Sequence, residues 1–203
     1  MLGEILTAAV TPIGKDGGVN YTAFAELCTY LVEHGSDGVV VGGTTGESPT
    51  LSDAERMQLI ATAVEAVGER ATVVAGTGTY STSHSVELTR QAEVLGVDGY
   101  LVVTPYYNKP PPAGIVAHFA ALAEVTERPI IASHSCCMAL CDHPRNLTDD
   151  QIRAVARNGG SIGITFVPSF IKEKDPTFDD LLNHIDHAVQ VGGVDHAGLG
   201  SDF

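Results

Sequence analysis

Tryptophan is missing from the 203 residues, and basic residues are scarce, 11 Lys and Arg against 25 Asp and Glu. A net charge of −14 repels nucleic acid and anionic membrane surfaces, so neither is an expected partner. Long apolar runs are also lacking, since none approaches the roughly 20 residues of a membrane span. The opening MLGEILTAAVTP has neither the basic region nor the cleavage site of a signal peptide, and the expected compartment is the cytoplasm. Cysteine is sparse: Cys28 stands alone, and Cys136, Cys137 and Cys141 cluster with no second pair at zinc-binding spacing, so buried thiols are the reading. No Gly-rich dinucleotide fingerprint follows the first apolar run, where Thr11-Pro12-Ile13 stands instead.

What is there is a repeat. Short apolar, β-branched runs at 6–13, 38–42, 72–76, 99–104, 129–133, 161–167 and 196–200 read as strands. Helical spacing of apolar residues fills 21–35, 52–67, 83–95, 113–126, 148–158 and 178–191. Ser52 with Glu55 and Thr148 with Gln151 have capping-box spacing, and Gly35, Gly68, Gly96 and Gly159 stand where helices should end at positive φ. Repeated βα units demand parallel strands with right-handed crossovers. The fold class is α/β, a (β/α)8-type TIM barrel that is incomplete at about seven strands, against the roughly 250 residues of a full one. A barrel short of a strand leaves an unpaired edge, which favours self-association.

Barrel chemistry lies at the carboxyl ends of strands. After the second strand comes Gly42-Gly43-Thr44-Thr45-Gly46-Glu47-Ser48, whose glycines permit close backbone approach and whose hydroxyls can donate to a small carboxylate. After the fourth comes Thr104-Pro105-Tyr106-Tyr107-Asn108-Lys109-Pro110. Taken singly, a Gly-Thr turn is more often only a turn, and a tyrosine pair before prolines is more often packing. Together with Leu6 to Pro12 and the Val73 to Gly78 strand, these runs resemble, in order and separation, the dihydrodipicolinate synthase/N-acetylneuraminate lyase family over about residues 4–131.

The resemblance implies a site for a small keto acid such as pyruvate. In that family pyruvate forms a Schiff base with a strand-six lysine, the threonines hold its carboxylate and relay protons, and a tyrosine completes the relay, often across a subunit contact. Carried over by motif, the catalytic residues are Thr44, Thr45 and Tyr107, the threonines also bind substrate, and a homo-oligomer is implied. The lysine is not where the family has it: Gly163-Ile164 is followed by Thr165, and the lysines are Lys15, Lys109, Lys172 and Lys174, all in polar turns or a charged loop. A hydroxyl cannot form an imine, so turnover is expected to be absent or very low.

From about residue 130 to 203 the text resembles the zinc-dependent membrane dipeptidase family, in Ala132-Ser133-His134-Ser135, Ala139 to Asp150, Gly163 to Phe170, His184-Ile185-Asp186-His187 and Val194 to Phe203. That likeness implies His134 as a vestigial zinc ligand and Arg145 and Asp202 as substrate-binding residues. The HxD pair, bridging Glu and second strand-end His of a binuclear site are not present, so no cofactor is expected. His184 and Asp186 have HxD spacing, but on a helix they face apart and are expected on a solvated outer face. The reading is one barrel-like domain over 1–203, a hybrid of a synthase-like front half (1–131) and a dipeptidase-like back half (132–203), without catalysis. A remnant zinc hydrolase and a lyase using another lysine are the alternatives.

Overall fold

The computed structural model describes residues 2–202. Phe203, the last residue of the Gly-Ser-Asp-Phe run, lies outside them. The described residues form two compact units that meet in sequence at Arg128 and Pro129.

In the first unit strands and helices alternate: β1 (Leu6–Ala8), α1 (Tyr21–Glu33), β2 (Gly38–Val41), α2 (Asp53–Val67), β3 (Thr72–Gly76), α3 (Thr82–Val94), β4 (Gly99–Leu101) and α4 (Pro112–Ala123). The strands pair in parallel and in sequence order, with Leu6 beside Gly38, Gly38 beside Thr72 and Val74 beside Gly99. All four residues of β2, Gly-Val-Val-Val, are buried, as an interior strand of a parallel sheet with both faces covered should be. The core gathers Phe24, Cys28, Val39, Leu59, Ile60, Val73, Val74, Leu88, Tyr100 and Leu122. Tyr100 is fully buried because its hydroxyl donates to Glu93 at 2.6 Å, a carboxylate that also accepts from Thr126 at 2.7 Å.

The second unit runs β5 (Ile130–Ser135), α5 (Asp149–Arg157), β6 (Ile162–Ile164), α6 (Pro168–Ile171), α7 (Phe178–Gly192) and β7 (Ala197–Leu199). Its strands are also parallel, β5 to β6 with a register irregularity between Ala132 and Ser135, and β6 to β7 from Ile162 beside Ala197. Cys136, Cys137, Ile152, Ile162, Ile164, Ile171, Leu181 and Ala188 form its core.

Helix starts follow local chemistry. Ser52 and Thr148 each close a capping box, with Glu55 and Gln151, and Thr177 closes a third with Asp180. Gly35, Gly96 and Gly159 take positive φ, whereas Gly68 is right-handed at φ −60° and ends α2 without a reversal. Several strands are shorter than their apolar runs. The run 6–13 stops being strand at Ala8: Pro12 has no N–H to give a ladder, and Ile13 turns back in an antiparallel bridge to Val19. The run 99–104 ends at Leu101, ahead of the Pro105 turn. The short α6 lies between the read strand 161–167 and helix 178–191, where no element is expected.

The solvated face expected for His184 is not found: it is 1% exposed, while Asp186 is exposed. Two residues on a helix subtend about 200°, so one of the pair had to point inward. His184 does, in line with the buried Leu181 and Ala188. The thiols of Cys28, Cys136 and Cys137 are buried as read, and burial raises them to about 11, 11 and 12. Among the described residues no helix is long and apolar enough to cross a membrane.

Candidate functional site

In the first unit, the residues after β2 fold back as a tight turn. The amides of Gly46 and Ser48 donate to Gly43 O at 3.2 and 3.3 Å, and Glu47 N donates to Thr44 O at 2.9 Å. Gly42 at φ 72° and Glu47 at φ 55° mark its two ends. Thr44 and Thr45 lie on the outside of this turn and are exposed, so both hydroxyls are available to a ligand.

After β4 the chain makes a second turn, strained in a way the sequence does not announce. Tyr107 and Lys109 are left-handed, at φ 62° and 44°, and the Tyr107 ring is 91% exposed. Tyr106 packs edge-on against Tyr80 at 5.6 Å, and Asn108 Nδ2 ties the turn to Tyr80 O at 3.1 Å. Among the described residues no hydrogen bond joins the hydroxyls of Thr44, Thr45 and Tyr107.

Two side chains that sequence reasoning passed over brace the first turn. Thr11, buried, donates through Oγ1 to Gly46 O at 2.7 Å. Arg56, 5% exposed, donates through Nη2 to Ser48 O at 2.7 Å. Arg56 was detectable: it falls on the α2 stripe with Leu59, Ile60, Ala63 and Val67, all buried, where a charge is out of place. At the end of β3 lies a run of buried hydroxyls, with Thr77 and Thr89 Oγ1 2.9 Å apart and Thr79 N donating to Ser85 Oγ at 2.8 Å.

No lysine of the chain is enclosed: Lys15, Lys109, Lys172 and Lys174 are all exposed. Lys172 Nζ is held by both carboxylate oxygens of Asp180 at 3.1 and 3.0 Å. That contact, with the Thr177 hydroxyl and amide ahead of it, lowers the Asp180 carboxyl to about 2. Thr165, next after Gly163-Ile164, is fully buried, with its hydroxyl 3.4 Å from Ser201 O.

In the second unit His134 and Arg145 come together. Arg145 Nη2 donates to His134 Nε2 at 3.2 Å, so the proton of this imidazole is on Nδ1, 2.8 Å from Ser133 Oγ. Arg145 also lies over the Phe170 ring at 5.4 Å, and His143 stacks on the same ring. Asp202 is exposed and left-handed at φ 65°. These residues do not fit a zinc ion: a guanidinium occupies the free nitrogen of His134. Among the described residues no group of three or more His, Cys, Asp or Glu side chains is placed to hold a metal.

Parallel βα units with polar turns at the carboxyl strand ends are the mark of TIM-barrel-type proteins. Within that class the chain belongs to the dihydrodipicolinate synthetase family, whose profile matches residues 1–160 and so reaches beyond the residue 131 where the motif resemblance ends. A 4-hydroxy-tetrahydrodipicolinate synthase of Mycolicibacterium paratuberculosis is 45% identical over 172 residues, 79% of this chain and 57% of the relative. One of Moorella thermoacetica is 55% identical over 129 residues, 64% of this chain and 44% of the relative.

Among solved structures, dihydrodipicolinate synthase from Bacillus anthracis superposes with a TM-score of 0.78 at 32% identity, covering 98% of this chain and 63% of the other. The chloride-inhibited enzyme from Acinetobacter baumannii complexed with pyruvate gives 0.73 at 28% identity, covering 98% and 70%. The chain spans about half the length of the curated relatives it matches, from 42% to 57% of them.

Proposed function

We propose that the first unit binds a small 2-keto acid such as pyruvate by its carboxylate at the Thr44-Thr45 turn, and that the chain does not turn it over through a Schiff base. It is a relative of 4-hydroxy-tetrahydrodipicolinate synthase that has kept carboxylate recognition and lost the covalent step. The observation that carries this is Thr165, a buried hydroxyl where the family resemblance calls for lysine, in a chain whose four lysines are all exposed.

The chemistry follows from what each group can do. Imine formation needs a neutral amine beside the keto carbon, and a desolvated site to keep it neutral. A threonine hydroxyl offers neither. Thr44 and Thr45 can still donate hydrogen bonds to a carboxylate, and Tyr107 can hold or pass a proton. The pyruvate complex of the Acinetobacter baumannii relative supports the choice of ligand. Rescue by Lys172 is disfavoured by its grip on Asp180. Incubation with pyruvate and borohydride, followed by intact mass measurement, tests the reading. We expect an unchanged mass, and a reduced pyruvyl adduct on any lysine would overturn it.

The hybrid character belongs to the same reading: residues from about 130 onward carry dipeptidase-like motifs joined to the synthase-like segment near 129–132. One observation supports it. The compact units divide at Arg128 and Pro129. Sequencing the source DNA across codons 128–133 tests it, since a break there in independent reads would show that the two segments are not one gene. Zinc hydrolysis is not proposed, because the donor set around His134 does not suit the metal.

A further inference from the structure

An arginine in a helix's apolar stripe needs a reason. The Arg56 guanidinium has one hydrogen-bond partner, Ser48 O, with Asp53 and Tyr106 near its charge, while Nε and Nη1 are cut off from solvent with no hydrogen-bond partner. Two stripped donors on a charged group are a standing cost, and a methionine would fill the same space without it. Packing therefore does not explain the residue.

Its position does. The Cγ and Cδ atoms lie 3.5 and 3.8 Å from where a Cβ on Gly42 would be, and the guanidinium reaches Ser48 O. One side chain thus runs past the Cβ position of Gly42 and bonds Ser48, the two residues that flank the Gly43 to Glu47 turn. Thr11 holds the middle through Gly46 O. The turn needs holding: of its internal amide bonds, those that close on Gly43 O are 3.2 and 3.3 Å long, and Glu47 is left-handed. A short turn with few internal bonds opens more readily unless braced from outside.

We propose that Arg56 is a positioning residue, which holds the Gly43 to Glu47 turn in the conformation that presents the Thr44 and Thr45 hydroxyls together to a small carboxylate. The proposal rests on the keto-acid reading above for its ligand, and on geometry alone for its effect on the turn. Arg56 acts from behind the turn, through the Ser48 carbonyl, and its nearest competitor for that role, Thr11, bonds a different carbonyl. Removing either should loosen the turn. At the exit Thr50 holds Glu47 O through its amide and hydroxyl, both at 2.9 Å, whereas Arg56 alone among the described side chains holds Ser48 O.

The test uses the full chain with Arg56 unchanged, R56M and R56K. Methionine keeps the stem against Gly42 and loses the donor, and lysine restores one donor toward Ser48 O. Amide hydrogen exchange should quicken about tenfold over residues 43–48 in R56M, the worth of one charge-assisted bond, with α2 and β3 unaffected. Pyruvate affinity, read by titration calorimetry, should weaken by about the same factor. R56K should recover most of both, and the thermal midpoint of R56M should hold, since it removes two stripped donors along with the bond.

Unchanged exchange in R56M, quickening spread evenly through the unit, or an R56K no better than R56M would overturn the proposal. Failure of the unaltered chain to bind pyruvate would overturn the keto-acid reading and the ligand half of this one. The exchange result would then decide by itself whether Arg56 holds the turn.

Discussion

The backbone amide of Cys137 donates to Nδ1 of His184 at 3.0 Å, across 47 residues of sequence. The imidazole must then carry its proton on Nε2, which donates to Ile171 O at 2.9 Å. One buried ring thereby joins the end of β5, the end of α6 and the middle of α7, and satisfies two main-chain groups that regular structure leaves over. Replacing it with leucine should cost about 1–3 kcal/mol for each group stripped of its partner, read as a lower urea midpoint with unchanged slope.

A pH dependence follows from the same bond. Protonation of Nδ1 would abolish the acceptor, and burial holds the His184 pKa below its ordinary 6.5, aided by His187 and opposed by the Ile171 carbonyl and Asp180. The unfolded chain takes up the proton near 6.5 and the folded chain resists it, so the contribution is complete above that pH and is lost as pH falls. His118 in the first unit, buried with Nδ1 2.9 Å from Thr82 Oγ1, is lowered by burial in the same direction. Stability should therefore fall as pH drops below about 6.5. His184→Leu should flatten part of that slope, and a variant profile parallel to the unaltered one would sink the assignment.

Tyr107 sets two effects against each other. Its left-handed backbone costs a non-glycine residue about 1 kcal/mol, and its ring finds no cover within the chain. An exposed aromatic on a strained turn is what an interface anchor looks like, and the family resemblance implies a second copy over it. Tyr107→Asn, which tolerates the left-handed region, should raise folding stability by up to about 1 kcal/mol. Sedimentation equilibrium on the same variant should show weaker self-association. An unchanged association constant would remove Tyr107 from any subunit contact.

The alternation of strands and helices was legible because parallel βα units repeat one pattern: an apolar β-branched run, a turn, and an amphipathic helix with its own cap. Ser52 and Thr148 announced their helices because a capping box is a contact between residues three apart. Thr44, Thr45 and Tyr107 were legible only as motifs, and nothing in spacing revealed that Tyr107 is left-handed. Arg56 and His184 were missed for a shared reason: each looks polar and solvated in a linear reading, while its place in the apolar stripe of its helix puts it inside. Their partners, Ser48 O and Cys137 N, are main-chain groups with no side-chain signature.

Glycine is compelled at some positions near the candidate site and merely convenient at others, and the difference is measurable. A Cβ on Gly76, at the end of β3, would run into the carbonyl of Gly42, which is backbone at the mouth of the Thr44-Thr45 turn and has nowhere to go. A Cβ on Gly43 would meet only Leu101 Cδ2 at 3.6 Å, an ordinary contact, and its φ is not positive. Gly76→Ala should therefore destabilise the first unit by about 1–3 kcal/mol, the usual cost of overpacking. Gly43→Ala should change it by no more than about 0.5 kcal/mol, because lost chain freedom in the unfolded state offsets any crowding. Urea midpoints of the two variants decide the matter. Equal losses would mean that β2 and β3 are not as close at Gly42 and Gly76 as this geometry requires, and the turn that carries the threonines would then be differently placed.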